Sequence, residues 1–254
     1  MALFRKEKNT QNQRPTIAIA TSDAVQHAAS TLLANIRFSS IDSPVQTIAF
    51  TSSVPNEGKT TIAFATAVAV GKSGQKCLVV EGDMRRRSLR ALFNVKTRYG
   101  IHALITGRCS FQEAICSTGL PGVYFLDAEM GIPNPDNILA SRQYRDLLGV
   151  LKKHFHYILI DTPPITAFPD AALTAAVTDG TILVVRENHT DKRDIGYSLE
   201  QLRNGNANVL GTVLNCQDVS SGGYGYSGHY YSYYSNYTTD DGSTPIAKHG
   251  GRRS

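Results

Sequence analysis

The sequence predicts a doubly wound α/β domain on a mainly parallel sheet, followed by a tyrosine-rich C-terminal segment. Three observations predict it. Short runs of continuous apolar residues recur between positions 45 and 216, helix-like stretches separate them, and the glycine, acidic and hydroxyl-bearing residues gather just after the runs. Continuous rather than alternating apolar runs mark strands buried on both faces of a parallel sheet. In such sheets ligands bind beyond the carboxyl ends of the strands.

Residues 1–44 read as a lead-in, polar at first and helix-like from about Asp23 to Ser39. Residues 45–216 hold the core. Strands are predicted at Thr47–Thr51, Cys77–Glu81, Gly122–Leu126, Tyr157–Asp161, Gly180–Arg186 and Val209–Asn215, and helices at Thr60–Lys72, Ser141–His154 and Asp191–Asn204. Residues 217–254 turn to Gly, Ser, Tyr, Asp and Lys, with no Leu, Ile or Val between Ser220 and Pro245. Such a segment buries too little apolar surface to offset its ordering entropy and is predicted to be disordered.

Composition narrows the classes. The 254 residues, 41% hydrophobic and 19% charged, describe a soluble globular chain. Cys77, Cys109, Cys116 and Cys216 form no CxxC pair, which excludes a disulfide framework and a zinc site and suits a reducing cytoplasm. No apolar run reaches the ~18–20 residues of a membrane span, and the basic stretch before Pro15 lacks the apolar core of a secretory signal. The formal charge of +5 is drawn from the two ends and from Arg85, Arg86, Arg87 and Arg90. Those cations suit anionic lipid, acidic partners or nucleotide phosphates. No helix-turn-helix pattern or aromatic–basic interleaving points to nucleic acid.

The first core strand runs into Ser53-Val54-Pro55-Asn56-Glu57-Gly58-Lys59-Thr60-Thr61, which opens a helix. Gly58-Lys59-Thr60 is the end of a Walker A loop. Backbone N–H groups at a helix N-terminus cradle phosphates, Lys59 adds a positive charge, and the Thr60 hydroxyl suits Mg²⁺. Ser53 occupies the place of the loop's usual first glycine. Two later strands end in acids: Leu78-Val79-Val80 leads into Glu81-Gly82-Asp83-Met84-Arg85, and Ile158-Leu159-Ile160 into Asp161-Thr162-Pro163-Pro164. Asp161 is placed to hold Mg²⁺, and Glu81 with Asp83 to complete the metal shell and accept a proton from an attacking hydroxyl.

These three motifs together resemble the bacterial tyrosine kinases of capsule and exopolysaccharide synthesis, in which they are called Walker A, A′ and B. The similarity spans about Asn35 to Asn215 and includes the Pro133-Asn134-Pro135 turn. The resemblance implies a P-loop NTPase-like fold, ATP with Mg²⁺, and tyrosine phosphorylation. Ser53–Thr61 would hold the nucleotide phosphates, and Thr60, Glu81, Asp83 and Asp161 the metal. Lys59, Asp161, Asp83 as base and Arg85 as phosphate neutraliser would be catalytic. It further implies a membrane-anchored polysaccharide co-polymerase whose cytosolic end activates the kinase at the membrane, a cognate phosphotyrosine phosphatase and a homo-oligomer. Two departures stand out. Glu81 replaces the family's usual Asp. The family's ring-forming Glu-x-x-Arg-x-x-Arg reads His27, Ser30 and Leu33 here, which argues against charge-paired rings.

Seven of the twelve tyrosines fall within fourteen residues: Tyr224, Tyr226, Tyr230, Tyr231, Tyr233, Tyr234 and Tyr237. They are the candidate phosphoacceptors of an autokinase. Two other readings share the motifs. A nucleotide-binding regulator with weak kinase activity would fit Glu81, and a MinD/ParA-like ATPase would fit the loop, though that class carries a second lysine where Val54 stands.

Overall fold

The computed structural model describes residues 14–39, 44–132 and 134–217. The tyrosine cluster and Pro133 lie outside the described residues. The strands are β1 Thr47–Ser52, β2 Cys77–Glu81, β3 Ile115–Ser117, β4 Val123–Leu126, β5 Tyr157–Asp161, β6 Gly180–Arg186 and β7 Val209–Asn215. They form a seven-stranded sheet in the order β3-β4-β2-β5-β1-β6-β7, parallel except where β3 pairs antiparallel with β4. The helices are α1 Arg14–Thr21, α2 Asp23–Phe38, α3 Lys59–Lys72, α4 Leu89–Leu92, α5 Ile101–Ile105, α6 Phe111–Ala114, α7 Pro135–Leu139, α8 Arg142–Leu151, α9 Asp170–Ala175 and α10 Lys192–Asn204.

The continuous apolar runs follow from the layering. Successive strand side chains point to opposite faces, so Ile48, Phe50, Val79 and Leu159 enter the core beneath α3. Leu78, Val80, Ile158 and Ile160 enter the opposite core, which α8 closes with Tyr144, Leu147, Leu148 and Leu151. Each of these interior strands therefore carries a run of consecutive apolar residues: Ile48–Phe50, Cys77–Val80, Tyr157–Ile160 and Ile182–Val185. Helix α3 is buried from Ala63 to Gly71 and uses small residues to lie close to the sheet. A Cβ on Gly71 would stand 2.1 Å from the Pro121 carbonyl oxygen, so the approach requires glycine there. The sheet side of α8 is set by an apolar stripe and by Ser141, whose hydroxyl accepts from the Tyr144 amide at 3.1 Å.

Elements outside the predicted runs include the short helices α4, α5, α6 and α9, helix α1 and strand β3. The lead-in holds α1, whose Ile-Ala alternation resembles a strand. Tertiary packing decides otherwise: Ala20 is buried in the α3-side core, and the Gln26 amide donates to the carbonyls of Ala20 (2.7 Å) and Ala65 (3.2 Å), tying α1, α2 and α3 together. Strand β3 is three residues long, too short to leave a pattern in the sequence.

Candidate nucleotide and phosphoryl-transfer site

The sheet order places β5 between β2 and β1, so the three motif-bearing strands end side by side at one rim. Beyond β1, residues 53–58 wrap the N-terminus of α3. Asn56 (φ 68°) and Gly58 (φ 92°) take left-handed backbone conformations. Asn tolerates this region, and glycine enters it without steric cost. At Gly58 space adds a second demand, since a Cβ would meet the Asn215 side-chain amide at 2.1 Å. Lys59 and Thr60 then begin α3, leaving its first N–H groups free of helical partners and oriented for an anion.

Asp161 closes β5 fully buried. The Thr60 hydroxyl donates to its Oδ2 at 2.6 Å, and the Lys59 ammonium lies 3.8 Å from its Oδ1, which accepts no hydrogen bond. Burial pushes the Asp161 carboxyl above its ordinary range. Lys59 and the Thr60 hydroxyl oppose that shift, and Asp83 adds to it. Asp83, 6% exposed, accepts the Arg85 and Arg86 amides on Oδ1 at 3.1 and 2.8 Å, while Oδ2 has no hydrogen-bond partner among the described residues.

A cleft of about 490 Å³ is lined by Pro55, Asn56, Gly58, Lys59, Thr60 and Thr61 with Asp83 and Arg85, and Asp161 lies behind Lys59 and Thr60. The other members of the expected phosphate-holding run, Ser53, Val54 and Glu57, stand behind the cleft as a brace. Glu57 is 1% exposed and accepts from the amides of Val54 (2.7 Å) and Arg186 (3.3 Å) and from the Thr190 hydroxyl. Its own carbonyl accepts from the Asn215 side chain at 2.8 Å. Ser53, fully buried, meets the buried Ser198 hydroxyl of α10 at 2.9 Å. The place of the usual loop glycine thus anchors the loop to a helix. Asn215, Thr190, Arg186 and Ser198 were not foreseen. The one signal available was Ser198 itself, a polar residue on the buried face of α10.

Two expectations change. Glu81 is also fully buried and directly opposite Asp161 in the β2–β5 register, yet its Oε2 accepts the Ser88 and Leu89 amides at 2.7 and 2.9 Å. It caps the N-terminus of α4. Burial, with Asp161 next in importance, raises its pKa well above the carboxylate range. Its other oxygen, Oε1, accepts no hydrogen bond, as is true of Asp161 Oδ1, so the part of Glu81 that the α4 amides leave unengaged is a single buried oxygen. Among the described residues no three His, Cys, Asp or Glu side chains converge as a metal-ligating group. Arg85 lines the cleft, but its guanidinium makes two 3.1 Å hydrogen bonds to the fully buried Asp170 and lies 4.4 Å over the Phe168 ring. Its charge is therefore directed toward Asp170 in this structure.

A Gly-Lys-Thr loop that opens a helix after a buried parallel strand, with an aspartate from the adjacent strand end on its threonine, defines a P-loop nucleoside triphosphatase domain. A family model described as an AAA domain matches residues 45–193. The tyrosine-protein kinase CpsD of Streptococcus pneumoniae serotype 4 is 33% identical over 182 residues, covering 71% of this chain and 80% of that protein. The chain belongs to the bacterial tyrosine kinase family. The solved kinase domain of the Escherichia coli tyrosine kinase ETK superposes with a TM-score of 0.75 at 25% identity, covering 84% of this chain and 85% of that one. The septum site-determining protein MinD of Pyrococcus horikoshii, solved with Mg-ADP, gives 0.58 at 26% identity, covering 69% of this chain and 72% of that one. No helix among the described residues is long and apolar enough to cross a membrane.

Proposed function

We propose that the chain is an autokinase that transfers the γ-phosphoryl group of ATP to tyrosines 224–237 of its own kind, within capsular or exopolysaccharide synthesis. The observation that carries this reading is the Thr60–Asp161 hydrogen bond with the Lys59 ammonium beside it. The residues fit a magnesium nucleotide: Asp161 Oδ1 is buried without a hydrogen-bond partner, and the Thr60 hydroxyl adjoins the same carboxylate. When bound, Mg²⁺ neutralises phosphate charge that accumulates during transfer.

The chain's own groups do the rest. Lys59 and the first amides of α3 hold and orient the phosphates. Thr60 and Asp161 would hold the metal, with Asp83 on the wall of the cleft. Asp83 Oδ2 accepts the phenolic proton as the tyrosine oxygen bonds to phosphorus and the bond from phosphorus to the ADP oxygen breaks. Each phosphotyrosine adds roughly −1.5 to −2 charges, so seven add on the order of −10 to −14 and reverse the sign of the chain's charge. That reversal would drive copies of a homo-oligomer apart, and a cognate phosphatase would restore them. A membrane-anchored polysaccharide co-polymerase is the proposed activator, keeping this cytoplasmic kinase peripheral to the membrane.

ATP labelling of the purified chain, with and without a cytosolic activator fragment and read by anti-phosphotyrosine, is expected to show phosphotyrosine that Lys59→Met abolishes. Replacing the seven tyrosines by Phe is expected to leave ATP binding intact and remove the label. Persistent phosphotyrosine in that variant would refute the assignment.

A further inference from the structure

The arginine run of residues 85–90 is only partly absorbed by the nucleotide site. Met84, Arg85, Arg87, Arg90, Val95 and Met130 surround a second cavity of about 470 Å³ whose lining includes no acidic side chain. That volume lies in the range of small-molecule and side-chain pockets, roughly 300–1,000 Å³. Two of its guanidiniums are held in place from behind. Arg87 donates to Asp127 Oδ2 at 3.2 Å and to the Ala128 carbonyl at 2.7 Å, and Arg85 is fixed by Asp170. The Arg90 guanidinium has no hydrogen bond or ion pair among the described residues, so its charge is available to a ligand. Beside these cations stands Met130, 79% exposed, a polarizable side chain suited to an aromatic ring.

We propose that this cavity is a phosphotyrosine subsite that receives a residue of the 224–237 cluster after phosphoryl transfer, a reading that rests on the autokinase function above. The chemistry matches at both ends. Guanidiniums take a phosphate dianion with multiple charge-assisted hydrogen bonds, and the methionines and Val95 offer the ring an apolar wall. A nucleotide is a poorer occupant because no residue of the phosphate loop lines the cavity. A lipid surface is also poorer, because Arg87 is recessed, its side chain only 16% exposed. Position supplies the purpose. Arg85 walls both this cavity and the nucleotide cleft, so the two are neighbours. The clustered tyrosines are one to four residues apart, and an extended chain spans about 3.3–3.6 Å per residue. Holding one phosphotyrosine beside the cleft keeps the next hydroxyl close to it, which makes multisite phosphorylation processive.

Two measurements test this. A fluorescent peptide of residues 221–237 phosphorylated at Tyr231 is titrated against the full chain carrying Lys59→Met, which removes turnover. Binding is expected to weaken about tenfold on adding Arg90→Ala, and the unphosphorylated peptide is expected to bind at least as weakly. In the active chain, Arg90→Ala is expected to shift the mass distribution from multiply to singly phosphorylated forms while ATP binding is unchanged. Phosphopeptide affinity that Arg90→Ala leaves intact overturns the proposal. So does binding of phosphatidylserine vesicles through Arg90 without binding of the phosphopeptide. A wild-type chain that makes no phosphotyrosine yet binds the phosphopeptide through Arg90 would remove the autokinase reading and leave the subsite standing.

Discussion

Glu81 and Asp161 end adjacent parallel strands, face one another in register, and are both fully buried. Each follows three apolar residues, and on the page of the sequence they look alike. Their surroundings separate them. Each keeps one oxygen without a hydrogen bond, but Asp161 looks toward α3, where a hydroxyl and an ammonium meet it. Glu81 is one methylene longer, and the chain beyond it turns back through Ser88 into α4, placing two amides on the carboxylate. A strand-end acid thus becomes a site group or a helix cap according to which backbone N–H groups the following loop delivers, and a sequence pattern at the strand end does not contain that information.

The largest expected effect breaks or confirms this contrast directly. Asp161→Asn keeps the shape and an acceptor for Thr60 but removes the charge opposite Lys59. Phosphoryl transfer is expected to fall by about 10²-fold or more, the scale of losing one electrostatic group in a transition-state site. Because burial already disfavours the charged form, thermal stability is expected to hold or rise. Glu81→Gln measured alongside is expected to stay within a few-fold of wild type. Equal losses in both variants would show that the two carboxylates act together and would end the distinction.

The next effect, smaller, is on stability. Glu81→Ala leaves the Ser88 and Leu89 amides without their acceptor, at a cost of about 1–3 kcal/mol, or a melting temperature several degrees lower. Glu81→Asp draws the carboxylate back from the same amides and is expected to destabilise in the same direction without gain in activity. Faster phosphoryl transfer by Glu81→Asp at unchanged melting temperature would assign Glu81 to the metal site.

Much of the fold was legible because burial on both faces writes a continuous apolar run into each interior strand, while β7 at the edge is only partly buried. β2, β5, β6 and β7 coincide with the predicted runs, and β1 extends one residue further. The phosphate loop was legible for a related reason: Gly58 needs a left-handed backbone and close approach, which only glycine meets. What escaped depends on distant partners. Helix α1 is held by the Gln26 amide and by packing on α3, and its β-branched composition argues against a helix. The brace behind the loop joins Glu57 to Arg186, Thr190 and Asn215, residues more than a hundred positions away. Asp170, which captures Arg85, sits in a six-residue helix with no motif around it.

A third carboxylate, at the opposite edge of the sheet, sharpens the contrast with the smallest effect. Asp179 precedes β6 and meets the start of β1: its Oδ2 accepts the Thr47 and Gln46 amides at 2.8 and 3.0 Å, and its Oδ1 accepts from the Lys152 ammonium at 2.5 Å. Burial alone would raise its pKa, but Lys152, the two amides and the Thr47 hydroxyl together lower it below the ordinary carboxylate value. A lowered folded pKa contributes stability above the unfolded value, near 3.9, and loses it as pH falls through the folded one. Asp179→Asn is therefore expected to lower stability at pH 7 by at most about 1 kcal/mol, since the ion pair is partly solvated. The difference from wild type should shrink toward zero as the solution is acidified below that range, with phosphoryl transfer unaffected. A melting-temperature difference equal at neutral and acid pH would show that Asp179 acts through shape alone, and a loss of transfer would mean that the amino edge is coupled to the site at the carboxyl edge.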